Sequence, residues 1–240
     1  MNIIIPMAGM GKRMRPHTLT IPKPLIPIAG KPIVQRLVED IAKVCGSQVN
    51  EVAFIIGRFG SEVEKKLLAI AESVGAKGSI HYQDEALGTA HAILCAQEAL
   101  EGNVVVAFAD TLFKADFTLD TSKEGIIWVQ KVEDPRPFGV VKINAQQQIT
   151  DFVEKPVEFV SDLAIIGIYY FKDGAYLRSE LQYLLDVAVN LAAVVVDGCD
   201  DVIDFIGSRI HGRFPDLTFL QFSITVERIN YTIVVIKLFG

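Results

Sequence analysis

No aspartate or glutamate occurs in the first 38 residues of this chain, although Lys12, Arg13, Arg15, Lys23, Lys31 and Arg36 all fall there. The whole 240-residue chain nevertheless carries a formal net charge of −6. A cationic opening on an acidic protein suits a small polyanion and argues against a long nucleic acid, which calls for a broad basic face. Cysteine is scarce too. Cys45, Cys95 and Cys199 are odd in number, far apart and without C-x-x-C spacing, so neither a disulfide framework nor a zinc site is expected. The opening run MNIIIPMAG has no charge ahead of it and is cut short by Lys12 and Arg13. Neither a secretion signal nor a membrane span fits that pattern, and a reduced, cytoplasmic protein is the default. The four histidines, His17, His81, His91 and His211, lack triad or metal-ligand spacing and read as structural.

Half of the residues are apolar, enough for one large α/β domain with a substantial core. Asn2 to Pro6 is a short β-branched run closed by proline and glycine, which predicts a buried strand feeding a turn. Helical spacing follows over Ile33 to Val44, a buried strand over Val52 to Ile56 and an amphipathic helix over Ser61 to Val74. A strand at Ser79 to Tyr82, an alanine-rich helix at Gly88 to Leu100 and a buried strand at Val104 to Ala109 continue the alternation. Such a sequence of elements predicts a mostly parallel sheet with helices on both faces. Short strands at Gly125 to Val132, Phe138 to Ile143 and Ile149 to Val153 then suggest an antiparallel extension before a strand at Leu163 to Phe171 and a helix at Asp173 to Leu185. Trp128 stands in one of these strands and needs no special role. No period emerges after Val187, and no linker sets the tail apart. The expectation is a single domain over 1–240, with one half at 1–110, a second half at 111–186 and an unassigned tail at 187–240.

Gly9 and Gly11 begin like a dinucleotide fingerprint, but Met14 stands where a third glycine is required and no acid follows about 20 residues on. The Walker pattern fails as well, because Gly30-Lys31 is followed by Pro32. What remains is G-x-G-x-R from Gly9 to Arg13, then Pro22-Lys23-Pro24-Leu25, with Ala29-Gly30-Lys31-Pro32 close behind. Glycines let backbone N–H groups approach phosphate oxygens. Arg13 can fork onto a triphosphate, and Lys23, restrained between two prolines, can offer a point charge to the reacting phosphate. An isolated G-x-G reads first as a solvated surface loop; the joint spacing with Pro22-Lys23-Pro24-Leu25 favours anion binding.

On these motifs residues 1 to about 185 resemble the sugar nucleotidyltransferase family, most closely its glucose-1-phosphate thymidylyltransferase and uridylyltransferase branch. The resemblance implies a Rossmann-like α/β fold with a small antiparallel extension for the sugar phosphate. It implies that Ala8, Gly9, Gly11, Lys12 and Arg13 bind the nucleoside triphosphate, that Lys23 contacts its phosphates, and that Gln83 reads the base with Gly88 beside it. In the same way it assigns Gly139, Glu154, Lys155 and Gly167 to the sugar phosphate, with Arg13, Lys23 and Lys155 catalytic. Asp110, at the end of the VVVAFAD run, becomes a Mg2+ ligand, since magnesium takes few protein oxygens plus substrate phosphates. By itself an Asp after a strand is as readily a helix cap, and Gln83 an ordinary strand-end residue.

The pattern breaks after Asp186. The family's G-E-Y-Q-L-T-D-A-L-like segment is absent, and only Val196 to Asp201 resembles the turn that supplies a second metal ligand. That nominates Asp201, with Asp197, Asp200, Asp204 and Asp216 as competitors. The implied reaction joins dTTP or UTP to a sugar 1-phosphate, glucose 1-phosphate first, releasing pyrophosphate. The competing readings are a non-catalytic nucleotide or sugar-phosphate sensor and a transferase for another head group, such as mannose 1-phosphate or a choline-type phosphate. No nucleic-acid or membrane partner is expected, and a homo-oligomer is allowed.

Overall fold

Three isoleucines set where the sheet begins. Ile3, Ile4 and Ile5 of β1 (Asn2–Pro6) are fully buried, as a β-branched run covered on both faces should be. This computed structural model describes residues 1–9, 18, 21–114, 118–146, 148–195, 221–226 and 229–234. After β1 come the short strands β2 (Pro27–Ile28) and β3 (Lys31–Pro32), helix α1 (Ile33–Cys45), β4 (Glu51–Ile56), α2 (Ser61–Ser73), β5 (Lys77–Tyr82) and α3 (Thr89–Leu94). They are followed by β6 (Val104–Ala107), β7 (Gly125–Lys131), β8 (Gly139–Ile143), β9 (Ile149–Glu154), β10 (Leu163–Phe171) and α4 (Gly174–Val195). Two further strands, β11 (Gln221–Val226) and β12 (Ile229–Val234), pair antiparallel with each other.

The chain forms two units that interleave along the sequence. One comprises Met1–Ala86, His91–Ile127 and Gly167–Arg178, and the other Leu87–Ala90, Trp128–Ile166 and Ser179–Gly240. In the first, β1 lies between β4 and β6 and runs parallel to both, β4 pairs in parallel with β5, and the end of β10 lies antiparallel to β6. Since β4 and β6 sit on opposite sides of β1, the strand order reverses there. The carboxyl ends of β1 and β6 are therefore where an open α/β sheet holds its ligand. In the second unit β8 and β9 form an antiparallel pair, with Gly139 opposite Glu154, and β8 also meets the start of β10 through Val140 and Ala164. The expected mixed α/β architecture with an antiparallel extension is observed.

Helix α1 shows how the pattern builds the core. Ile33, Val34, Leu37, Val38, Ile41 and Val44 recur at helical spacing and are all buried, each contributing about 1.5–3 kcal/mol. It ends where Gly46 takes φ +58°, a left-handed value that favours glycine, and where a Cβ would lie 2.8 Å from Thr118 Cγ2. Strand β5 begins two residues before the expected Ser79, at Lys77, and three elements end two or more residues from the expected position. The 88–100 segment is helical only to Leu94: the Cys95 amide bonds both His91 O and Ala92 O, and the Ala96 amide bonds Ile93 O, so the turn tightens into a short 3₁₀ turn at Gln97–Ala99. Strand β6 stops at Ala107, because the Thr111 amide closes a turn onto Phe108 O. Helix α4 runs ten residues past Leu185, to Val195.

Burial pushes the Cys45 thiol up to about 11. A raised pKa stabilises the folded state fully below the unfolded thiol value and loses that contribution as pH climbs toward 11. The cost reaches about 2 kcal/mol at the upper end. Cys45 should accordingly resist alkylation in native protein at pH 8 and react after unfolding, as mass spectrometry of iodoacetamide-treated peptides would report.

Candidate active site

In the first unit the main chain leaves β1 through Met7, whose amide donates to Ile55 O, and reaches Ala8 and the exposed Gly9. A Cβ on Gly9 would meet nothing within 4 Å among the described residues, so packing does not demand a glycine there. Lys23 opens a 3₁₀ turn, Lys23–Leu25, that follows Pro22 and is anchored by the buried Pro24 and Leu25. Its Nζ donates to Asp110 Oδ2 at 2.8 Å, joining residues 87 positions apart. Two groups singled out separately in the sequence, one for phosphate and one for metal, are thus brought together beside the end of β6.

The loop carrying Asp110 is braced by β10. Gly167 has φ +80°, its carbonyl accepts the Phe108 amide, and a Cβ would stand 3.4–3.5 Å from Phe108 and Thr111 Oγ1. The left-handed backbone is what requires glycine at this position.

Two further cations of the opening segment have internal partners. Lys31 Nζ donates to both carboxylate oxygens of Glu39, at 2.9 and 2.8 Å. Arg36 donates to the carbonyls of Ile28 and Ala29. Ala29 and Gly30, both at positive φ, form the two-residue turn of the β2–β3 hairpin that Arg36 clamps. The Ala29-Gly30-Lys31-Pro32 stretch is therefore a hairpin turn, and Lys31 and Arg36 serve it.

Gln83 stands at the end of β5, its amide bonded to Ile56 O and its Nε2 3.3 Å from His91 Nδ1. His91, read from sequence as structural, lies against the residue expected to read the base. Gly88, at φ +100°, belongs to the second unit and immediately precedes α3 in sequence.

The second unit assembles Gly139, Glu154 and Lys155. Cross-strand pairing sets Gly139 opposite Glu154, and a Cβ on Gly139 would fall 2.8 Å from Glu154 Oε2. Lys155 adopts φ +44°, which is costly for a side chain of its size. That backbone lets its amide reach Phe138 O while its Nζ sits 3.3 Å from Glu154 Oε1. The outcome is an exposed carboxylate and ammonium side by side, facing a residue with no side chain.

Gly11, Lys12, Arg13 and Asp201 lie outside the described residues. Among those described, no group of three or more His, Cys, Asp or Glu could hold a metal ion. An exposed Asp110 at a strand end still fits magnesium, which asks for one or two protein carboxylates and takes its other oxygens from phosphate and water.

A family model described as nucleotidyl transferase matches residues 2–190. The chain belongs to that family. The match agrees with the extent expected from the G-x-G-x-R and PKPL motifs. Among family relatives, the low-salt glycan biosynthesis nucleotidyltransferase Agl11 of Haloferax volcanii is 31% identical over 210 residues, covering 82% of this chain and 58% of that protein. The mannose-1-phosphate guanylyltransferase catalytic subunit beta of Xenopus tropicalis is 34% identical over 194 residues, covering 76% and 52%. The chain thus spans little more than half the length of these two relatives. A Bacillus anthracis structure assigned as a glucose-1-phosphate thymidylyltransferase, in complex with sucrose, has TM-score 0.63 and 26% identity, covering 73% of this chain and 72% of that one. A UDP-glucose pyrophosphorylase complexed with UDP-glucose has TM-score 0.57 and 27% identity over 71% and 75%. No described helix is long and apolar enough to cross a membrane.

Proposed function

We propose that this chain joins a nucleoside triphosphate to a sugar 1-phosphate. A phosphate oxygen of the sugar phosphate bonds to the α-phosphorus, the bond from that phosphorus to the β-phosphate oxygen breaks, and pyrophosphate leaves. The observation that carries the reading is the Lys23–Asp110 pair beside the end of β6, in a chain matched by the nucleotidyl transferase family over most of its length. No general base is needed, because the nucleophilic phosphate is already ionised, and catalysis rests on positioning and on offsetting charge. In this reading Lys23 turns from Asp110 to the triphosphate, where its ammonium stabilises charge growing at the α-phosphate. Lys155 holds the sugar phosphate and Glu154 accepts hydrogen bonds from sugar hydroxyls. Asp110, with Asp201 as the second candidate, would hold Mg2+, which when bound supplies charge neutralisation on the phosphates. Arg13 would steady the departing pyrophosphate.

Glucose 1-phosphate with dTTP or UTP is the favoured pair, supported by the family motifs and by the names of the structural relatives. The guanylyltransferase relatives make mannose 1-phosphate with GTP the second pair to test. Protein, Mg2+, each triphosphate and each sugar 1-phosphate should be combined while pyrophosphate is monitored. Release with one preferred pair is expected. Nucleotide binding without release across the whole panel would overturn transfer in favour of a sensor.

A further inference from the structure

The geometry points to Arg58 as a positioning residue that sets nucleobase selectivity by gripping the chain on both sides of Gln83. This rests on the proposed role of Gln83 in reading the base.

Arg58 follows β4 by two residues, at the carboxyl end of a parallel strand, where ligand-facing loops gather. Its Nε and Nη2 donate to Asp84 Oδ1 and Oδ2, both at 2.8 Å, a two-pronged bond that fixes direction as well as distance. The same guanidinium carbon stands 4.0 Å from the centre of the Tyr82 ring. The Tyr82 hydroxyl in turn donates to Glu64 Oε1 of α2 at 2.7 Å. Residues 82 and 84 are thus both held by one side chain, and the residue between them is the base-reading candidate. Gln83 itself is bonded through its backbone to Ile56 and through its amide to His91.

Stability does not account for this arrangement. The Arg58 and Asp84 side chains are 67% and 58% exposed, and ion pairs so placed contribute little to folding. Orientation does account for it. An amide discriminates bases only if its donor and acceptor point along the base edge, and the backbone at position 83 sets that aim. A lysine at position 58 would keep the charge and lose the fork.

The test is equilibrium binding of dTTP, UTP, CTP and GTP, each with Mg2+, to wild-type protein and to the R58A, R58K and D84N variants, with thermal unfolding measured alongside. The ratio of best to worst base should shrink about tenfold in R58A, equivalent to one well-aimed hydrogen bond, with R58K and D84N in between and melting temperatures close to wild type. Wild-type selectivity retained in R58A, or a wild-type protein that does not discriminate bases, overturns the role of Arg58 and leaves transfer itself to the pyrophosphate assay. Failure of the wild-type protein to bind any triphosphate would instead overturn the proposed function. A melting temperature that falls in step with selectivity would mark Arg58 as a folding residue and also overturn the inference.

Discussion

Replacing Lys23 by alanine is expected to lower pyrophosphate release by about 10²–10³-fold at saturating substrate, the cost of losing one preorganised charge at the developing phosphate. The fold should barely register the change. Lys23 and Asp110 are 30% and 55% exposed, so their mutual attraction in water is worth about 0–1 kcal/mol and the melting temperature should stay near wild type. The buried anchors of the turn, Pro24 and Leu25, are untouched. An arginine at 23 should recover little, because a planar fork cannot take the place of a compact ammonium between Asp110 and a phosphate. Steady-state release measured beside thermal unfolding decides the matter: unchanged turnover in Lys23→Ala would sink the assignment.

The second large effect is expected from one methyl group. Gly139→Ala places a Cβ 2.8 Å from Glu154 Oε2, closer than the carboxylate can tolerate, so Glu154 must swing away from its place beside Lys155. If that carboxylate receives sugar hydroxyls, KM for the sugar phosphate should rise about 10–100-fold, as small displacements at binding groups do, while KM for the nucleotide holds. A double-mutant cycle gives the sharper reading. In a Glu154→Ala background the added methyl has nothing to displace, and Gly139→Ala should then cost little more. Equal rises in both KM values would place the damage in the fold of the β8–β9 pair instead.

Much of the architecture was legible because the strands and helices of the first unit carry unambiguous periods. Ile3 to Ile5 and Val104 to Val106 are continuous β-branched runs, short and bounded by turn residues, as suits a strand covered on both faces, and α1 repeats its apolar positions without interruption. The misplaced ends have local causes. Nothing in the composition of 88–100 announces the shift to 3₁₀ bonding after Leu94, since alanine accepts both geometries. The extra turns of α4 run through an apolar stretch without a breaker until Asp197 and Gly198, which period alone could not separate from a buried strand.

For the candidate site, sequence order nominated residues but gave no view of their partners. Counting cations put Lys31 and Arg36 with Lys23, yet the first two bind Glu39 and the hairpin carbonyls. The brace on the neighbours of Gln83 is equally hidden, because Arg58 lies 26 positions before Asp84 and meets it only after β4 and β5 align. Its place just past a parallel strand was the one readable signal.

The position of β1 between β4 and β6 also bears on how the chain comes into being. β1 is made before both of its neighbours, finds β4 some 50 residues later, and stays uncovered along its other edge until Val104 to Val106 arrive to pair with Asn2 to Ile4. At ribosomal rates that interval lasts roughly 5–20 s, with a greasy isoleucine edge waiting for its neighbour. Closing so wide a loop is slow, and the Lys23–Asp110 bond waits on the same closure. Newborn chains should therefore lean on chaperones until about residue 110 has left the ribosome.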